Sequence, residues 1–231
     1  VSKDDILAYY VWIPRYKYRI WTTSNSSKGS EQEIDIIFES KDTTKSTGTQ
    51  VGEYITHPAF TFGDMEVNGI WVGKFETGGT ATDPLIKPDI SSLRGQKVSE
   101  EFTTAQKFGT STYGMTSNVD AHMMKNSEWG AVAYLSHSRY GVNREIYINN
   151  SSGYYTGRSG GNVGGKTAIN TEYTNQTATA QYNKYGFYTW DGYLLEYNTN
   201  TKSGIHDINK VASTTGNITG IYDMSGGAYE Y

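Results

Sequence analysis

The sequence predicts an α+β fold, in which short helices lie among short strands and long polar loops. Three observations lead to this prediction. Apolar and polar residues alternate in the first third of the chain, near-helical spacing appears between residues 100 and 138, and strand-like alternation returns afterwards. The chain has 231 residues, a length typical of one mixed domain. We expect residues 1–50 to form N-terminal strands and a linker, and residues 51–231 to form the main domain.

The N-terminal strands are predicted from their aromatic and β-branched residues. Residues 11–21 alternate apolar with basic side chains, and Pro14 within them indicates an edge strand or a bulge. Residues 33–39 (EIDIIFE) predict a second strand. A third strand is predicted over residues 69–77, closed by a turn at the Gly-Gly pair that follows. Because Trp71 lies in an apolar run of this strand, its side chain is expected to be buried.

Two helical segments follow these strands. Residues 100–108 predict the first helix. Its apolar side chains are expected to share one face: Phe102, Ala105 and Phe108. Residues 118–138 repeat apolar side chains at near-helical spacing, and residues 126–127 (Asn-Ser) offer a fresh N-cap that would divide this region into two helices. Trp129 lies within the same apolar pattern and is predicted to be a core residue.

The C-terminal third contains the predicted ligand contacts. Residues 186–195 predict a hairpin that turns at an Asp-Gly pair. Alternation along the first strand places Tyr188 and Trp190 on one face, and Tyr193 follows the turn. An exposed Trp beside a Tyr forms a platform for the apolar face of a sugar ring or for the anchor residue of a protein partner. These three aromatic residues are therefore the predicted ligand site, with burial of Trp190 beneath the hairpin as the alternative.

Composition and charge argue against several classes of protein. The chain holds 20 Tyr and 5 Trp, and a disordered chain would lack such aromatic residues. Its net charge is −4 and it has no basic run, so no nucleic-acid partner is predicted. It has no apolar run long enough to cross a bilayer, so no membrane insertion is expected. The absence of cysteine excludes disulfides, thiolate zinc sites and cysteine nucleophiles.

One segment matches the phosphate-binding loop pattern G-x-x-x-x-G-K-[ST] letter for letter. It covers residues 160–167 (GGNVGGKT). That loop binds phosphate only between a buried strand and the N-terminus of a helix. Here the preceding residues are a Gly, Ser and Tyr loop, and the following ones show no apolar helical face. We therefore interpret the match as a coincidence and predict that the segment binds no nucleotide.

The titratable residues give no sign of a metal or catalytic centre. The four histidines lie far apart in sequence and are interpreted as surface or capping residues: His57, His122, His137 and His206. Asp120 precedes His122 by two positions, and residues at this spacing on a helix do not face each other. Calcium stays an open alternative, because three aspartates lie in loops without ligand-like spacing: Asp191, Asp207 and Asp223. No catalytic residue, metal ligand or cofactor is predicted.

The closing residues carry the most specific pattern in the chain. Residues 217–231 (NITGIYDMSGGAYEY) resemble the N-x-x-G-[LIV]-Y-D-M-x-G-N-[VA]-W-E-[WY] signature of the formylglycine-generating-enzyme, or sulfatase-modifying-factor, family. Residues 70–77 (IWVGKFET) are similar to the strand F-x-[IM]-G-K-[YF]-E-V-T of that family. Residues 126–136 (NSEWGAVAYLS) are similar to its helix V-S-W-x-D-A-x-A-Y. The order of the three motifs implies a C-type-lectin-like domain, in which Tyr222 and Met224 alternate with Asp223 along a core strand.

Two departures from this family affect the function that the resemblance implies. Catalytic members use cysteines to hold copper and oxidise their substrate, and this chain has none. The sequence also ends at Tyr231, where members of the family continue with further strands, so the domain is expected to be truncated at its C-terminal end. Because the sequence opens at Val1 rather than at Met, we also expect a processed or excised chain.

The resemblance therefore implies a non-catalytic binding or display module. Cysteine-free domains of this fold occur in retroelement-diversified variable proteins and in surface proteins of bacteria and phages. We expect an extracellular protein on a bacterial surface or a virion, binding a carbohydrate or protein ligand and compatible with homo-oligomerisation. A structural subunit of a pilus or virion is the main alternative, and a cofactor-free enzyme is the second. The sequence does not name the ligand.

Overall fold

The structure combines many short strands with two helices. The computed structural model describes residues 1–20, 33–49, 52–88, 90–116, 118–143, 156, 162–163, 166–167, 213–217, 219–224 and 228. The strands are β1 (Tyr10–Pro14), β2 (Tyr16–Arg19), β3 (Asp35–Phe38), β4 (Ile55–Thr56), β5 (Thr61–Phe62), β6 (Met65–Glu66), β7 (Gly69–Gly73), β8 (Gly78–Gly79), β9 (Pro84–Leu85), β10 (Asn162–Val163) and β11 (Lys166–Thr167). The helices are α1 (Val98–Lys107) and α2 (Asn126–Ser136). Short 3₁₀ turns cover Lys3–Asp5, Pro58–Phe60 and Ser111–Tyr113. This is an α+β structure, as predicted.

The chain divides into two compact units, each built from separate stretches of sequence. The first unit contains residues 1–10, 73–123 and 146–231, and the second contains residues 11–72 and 124–145. The division of the chain at residue 50 that the sequence suggested stays a prediction. Within the described ranges, no helix is both long and apolar enough to cross a membrane.

The second unit contains a three-stranded antiparallel sheet in the order β3–β2–β4. Pro14 ends β1 and β2 begins at Tyr16, so the single strand predicted over residues 11–21 is divided into two at the proline. Tyr16 pairs with Phe38 and Arg19 with Asp35 across the β2–β3 ladder. A second ribbon pairs β1 with β7, and β5 with β6 forms a hairpin whose turn contains Gly63 at a φ of 59°.

Helix α2 covers one face of this sheet. It begins at Asn126, where the sequence predicted a fresh N-terminus, and residues 118–125 are not helical. The Glu128 carboxylate accepts a hydrogen bond from the backbone N–H of Lys125 at 2.7 Å, which satisfies a donor at the helix start. The buried Tyr16 hydroxyl donates to the carbonyl of Ala131 at 2.7 Å, and thus joins sheet to helix.

Beside this sheet, Arg15 lies fully buried in a network of charged groups. Its Nε is 3.0 Å from Glu39 Oε1, and Nη1 bonds to Glu66 Oε2 and, at 3.3 Å, to the carbonyl of Phe60. Lys45 Nζ lies 2.7 Å from the other Glu66 oxygen. Burial raises the pKa of Glu66, but hydrogen bonds from Lys45, Arg15 and a threonine outweigh this and lower that pKa to about 2. The network thus holds Arg15, the residue between β1 and β2, to Glu39 and Glu66.

The core of the first unit is a small aromatic cluster. Its buried members are Phe75, Ile86, Phe108 and Tyr222. The rings of Phe75 and Tyr222 stack at 5.3 Å between centroids, with 28° between their planes. Tyr10 meets Phe108 edge-to-face at 6.4 Å. Such aromatic contacts add to the stabilisation from burial, and they anchor the residues around 213–224.

Helix α1 has the predicted position but a different buried face. Thr104 and Phe108, one turn apart, are buried, whereas Phe102 is 48% exposed. The Thr104 hydroxyl and the Lys107 ammonium both donate to the carbonyl of Ala81, at 3.4 and 2.7 Å. The helix therefore turns a polar stripe towards the loop between β8 and β9, which apolar spacing alone did not indicate.

The glycine pair at residues 78–79 was predicted to be a turn, and this prediction is wrong. Gly78 and Gly79 form β8, which pairs with β9 through the registers Gly78–Leu85 and Gly79–Pro84. A side chain at Gly78 would approach within 2.4 Å of Ile90, so this position requires glycine for close packing rather than for a turn.

The prediction that Trp71 and Trp129 are core residues is also wrong. Trp71 is 66% exposed and Trp129 is 38% exposed. In β7, the buried residue is Val72, so alternation sends Trp71 to the opposite face. In α2 the buried stripe contains Glu128, Val132 and Ser136, one turn apart, and Trp129 lies beside it. In both elements, an apolar run in the sequence is only half buried.

Within the C-terminal motif, the described residues 220–223 are buried but do not alternate as a strand. Ile221, Tyr222 and Asp223 are consecutive and all buried. Asp223 has a φ of 65°, in the left-handed region, which breaks any extended run. The hydroxyl of Thr214 accepts from the N–H of Ile221 at 3.1 Å and holds the segment in a compact loop. The predicted alternation of Tyr222 and Met224 about Asp223 is therefore wrong.

Candidate functional site

Two exposed tryptophans lie side by side on the β1–β7 ribbon. Trp12 on β1 is 41% exposed, and Trp71 on β7 is more exposed still. Their ring centroids are 5.1 Å apart, and the ring planes are tilted by 55°. On the other face of the same ribbon, Ile13 and Val72 are buried. The ribbon thus fixes an aromatic surface towards solvent and packs its aliphatic face inside.

A glycine shapes this aromatic surface. A Cβ atom at Gly69 would lie 2.4 Å from a ring carbon of Trp12 and 2.4 Å from the carbonyl oxygen of Ile13. The indole of Trp12 therefore lies directly over the bare backbone of Gly69, next to the strand position of Trp71. Packing of an aromatic ring over a glycine on the adjacent strand restricts the rotamers of that ring. The pair is consequently ordered before any ligand arrives.

The two indoles also offer polar groups. Neither indole N–H makes a hydrogen bond within the described part of the chain. An exposed indole combines an apolar face with one donor at its edge, which suits a ligand that has both C–H faces and hydroxyl oxygens. Sequence reasoning missed this pair because Ile70-Trp71-Val72 was interpreted as a buried run. Gly69 and Gly73, two positions on either side of Trp71, were the signal in the sequence for a strand that is buried on one face only.

The predicted ligand contacts Tyr188, Trp190 and Tyr193 lie outside the described residues. The structure does describe the backbone at the phosphate-loop match, where Asn162 pairs with Thr167 and Val163 with Lys166 in an antiparallel hairpin. A phosphate-binding loop requires a helix after its Lys-Thr pair. Here the Lys-Thr pair itself lies on strand β11, and absence of nucleotide binding stays a prediction.

Other titratable residues are arranged differently from the sequence-based expectation. His122 Nδ1 lies 3.2 Å from Asp120 Oδ2, because residues 118–125 are not helical and the i, i+2 argument does not apply. Among the described residues, no three His, Asp or Glu side chains are grouped closely enough to hold a metal ion. Of the aspartates considered for calcium, only Asp223 is described, and it is buried. Calcium dependence stays a prediction.

His57 is a buried capping residue rather than a surface one. Its Nδ1 accepts from the N–H of Ala59 at 3.2 Å, at the start of the Pro58–Phe60 turn. Four rings surround the imidazole, with centroids 5.3 to 6.0 Å away: Tyr16, Tyr18, Phe60 and Tyr134. Burial among these rings lowers the pKa of His57 from 6.5 to about 4. The imidazole is therefore neutral in the folded protein at physiological pH.

Acid should therefore destabilise the fold through His57. Between pH 6.5 and about 4 the unfolded chain binds a proton that the folded chain does not, so the free energy of unfolding falls as pH falls through this window. We expect a loss of about 3 kcal/mol by pH 4, measured by urea unfolding at a series of pH values. In His57→Asn, which keeps an acceptor for the turn, the slope between pH 6.5 and 5 should be smaller. An unchanged slope would contradict the assignment.

Two of the sequence motifs are in contact within the first unit. The N–H of Tyr222 donates to the carbonyl of Lys74 at 2.8 Å, and the Lys74 ammonium lies 5.7 Å from the centre of the Tyr222 ring. Glu76 accepts from the N–H of Ala228 at 2.9 Å. Residues 73–76 thus hold the C-terminal motif through backbone and side-chain contacts. Their role here is structural.

The chain matches no protein-family model, and no curated protein shows significant similarity to it. The exposed Trp12–Trp71 pair is therefore assessed on its own chemistry.

Proposed function

We propose that this chain is a non-catalytic ligand-binding or display module that acts outside the cell, on a bacterial surface or a phage particle. The observation that carries the proposal is the exposed, ordered Trp12–Trp71 pair. Leaving two large apolar rings in water is unfavourable, and exposed aromatic pairs mark interaction sites. The resemblance of residues 217–231 to the formylglycine-generating-enzyme family supports a C-type-lectin-like domain, and the lack of cysteine supports a non-catalytic one.

A carbohydrate is the ligand that best fits this surface. The apolar face of a sugar ring stacks on an indole, and its hydroxyl groups accept from the indole N–H. The tilt of 55° between the two rings lets each contact a different part of an extended ligand. The chemistry of the two rings supports recognition of such a ligand, and recognition rather than hydrolysis is therefore proposed.

Replacing Trp71 with alanine should weaken ligand binding with little effect on stability. A glycan array first identifies the ligand, and titration by intrinsic fluorescence then measures its Kd. We expect Trp71→Ala and Trp12→Ala to weaken binding at least about tenfold, corresponding to about 1.4 kcal/mol. Because Trp71 is largely exposed, its replacement should change the free energy of unfolding by less than about 0.5 kcal/mol.

Trp129→Ala is the matched control. Trp129 is a third tryptophan with partial exposure, and it lies on α2 rather than on the ribbon. This variant should bind the ligand as the parent chain does. If Trp12→Ala and Trp71→Ala bind with the parental Kd, the ligand site lies elsewhere, and the hairpin containing Trp190 becomes the next candidate.

A further inference from the structure

Two tyrosines from separate stretches of the chain meet where helix α2 covers the sheet of the second unit. Tyr18 lies on β2, in the stretch 11–72, and Tyr134 lies on α2, in the stretch 124–145. Their ring centroids are 4.9 Å apart, and the ring planes are inclined by 66°. The imidazole of His57 contacts both rings, with centroids 5.3 and 5.4 Å away. The two phenol rings are therefore held against each other by the packing of sheet and helix.

This contact distinguishes the pair from the other tyrosines that the structure describes. Tyr18 and Tyr134 are the two described tyrosines whose rings contact each other. In the ring contacts that the other described tyrosines make with described residues, the partner is phenylalanine or histidine. A reaction that joins two neighbouring phenol rings within the described part of the chain would therefore select this pair.

The hydroxyl groups of both tyrosines are accessible. Tyr18 and Tyr134 are half-buried residues, and within the described part of the chain neither hydroxyl is enclosed or makes a hydrogen bond. The hydroxyl of their neighbour Tyr16, in contrast, is buried and donates to the carbonyl of Ala131 at 2.7 Å. A phenol gives up its hydroxyl proton when it is oxidised, so a hydroxyl that reaches solvent reacts more readily than one held in a buried hydrogen bond.

We propose that Tyr18 and Tyr134 are the site of an oxidative cross-link, a carbon–carbon bond between the two phenol rings. A peroxidase that uses hydrogen peroxide removes one electron and one proton from each phenol. The two radicals couple through the ring carbons next to their hydroxyl groups, and the protons on these carbons then move to the phenol oxygens. One hydrogen peroxide is reduced to two water molecules for each cross-link, which accounts for the two electrons and two protons that the tyrosines lose.

Such a bond stabilises the second unit by joining its two stretches. The chain has no cysteine, so no disulfide can connect them. A covalent bond between residues far apart in sequence lowers the conformational entropy of the unfolded chain, and the effect grows with the length of the loop that the bond closes. The bond between Tyr18 and Tyr134 closes the loop of residues 19–133. The cross-linked chain should therefore resist unfolding better than the untreated chain.

Treatment of the full chain with a haem peroxidase and hydrogen peroxide tests the proposal. The protein is kept dilute, so that coupling within one chain is favoured over coupling between chains. Mass spectrometry of the digested chain should find the peptides of Tyr18 and Tyr134 joined, with the loss of two hydrogens. The joined peptides should come from a chain that runs as a monomer on a denaturing gel. Urea unfolding followed by circular dichroism should show a higher midpoint than for the untreated chain.

Tyr18→Phe and Tyr134→Phe are the matched variants, because phenylalanine keeps the ring but lacks the hydroxyl that is oxidised. Each variant should fold as the parent chain does, by circular dichroism before treatment, and should lose both the joined peptides and the rise in the urea midpoint. Tyr140→Phe is the control. Tyr140 contacts Phe38 rather than another tyrosine, so this variant should form the cross-link as the parent chain does.

Three results would count against the cross-link. A treated parent chain without the joined peptides of Tyr18 and Tyr134 overturns the proposal. A rise in the urea midpoint that persists in Tyr18→Phe assigns the stabilisation to another reaction and also overturns it. Joined peptides with an unchanged midpoint overturn the stabilising role of the bond.

Discussion

Replacing Arg15 with methionine is expected to lower the free energy of unfolding by about 3–5 kcal/mol. The arginine is completely buried, and its partner Glu39 is almost so. Removal of the guanidinium leaves the Glu39 carboxylate in a buried site where, among the described residues, the Thr56 hydroxyl at 2.9 Å is the remaining hydrogen-bond donor. Urea unfolding followed by circular dichroism at pH 7 measures the loss.

The double variant Arg15→Met/Glu39→Leu is the control for this interpretation. It removes both members of the Arg15–Glu39 pair, and Glu66, which also loses Arg15, keeps Lys45 at 2.7 Å. A buried ion pair that is replaced as a whole by apolar residues of similar volume often costs little. We therefore expect the double variant to be more stable than Arg15→Met alone. If it is less stable, then Arg15 acts mainly by packing and not by compensating the charge of Glu39.

The second large effect is expected at Tyr222, in the core of the first unit. Tyr222→Ala removes a buried ring that stacks on Phe75, and it should cost about 3–5 kcal/mol. Tyr222→Phe is the matched variant. The hydroxyl lies 3.4 Å from the carbonyl of Asn217, a long hydrogen bond, so its removal should cost less than about 1 kcal/mol. Equal losses in the two variants would show that the hydroxyl rather than the ring stabilises this core.

Local patterns in the sequence predicted several of the longer elements. The end of β1 at Pro14, the strand around residues 35–38 and the start of α2 at Asn126 all follow from chemistry within a few residues. The N-cap of α2 is Lys125, however, and not the predicted Asn126 or Ser127. These features depend little on distant contacts. They are therefore visible without knowledge of the fold.

Burial was predicted less well, because it depends on which partner each element meets. Trp71 and Val72 are neighbours in one apolar run, yet only Val72 is buried, since the ribbon is covered on one face. The alternating pattern around Arg15 is typical of a strand with its cations on the surface. In the structure, however, Arg15 bonds to Glu39 and Glu66, which are 24 and 51 residues further along the chain. The candidate site was missed for this reason. An exposed tryptophan cannot be distinguished from a buried one until its strand is paired.

The two stretches that form the second unit also determine when it can fold during synthesis. Residues 11–72 leave the ribosome as a sheet whose aromatic face lacks its cover until residues 124–145 follow, because Tyr16 finds its partner Ala131 115 residues further along the chain. At about 5–20 residues per second, several seconds separate the two events. During that interval the nascent sheet exposes its core face. A chaperone that binds extended apolar segments would have its main target on this uncovered face. A cluster of slowly translated codons before residue 124 would lengthen the time for which the face is exposed.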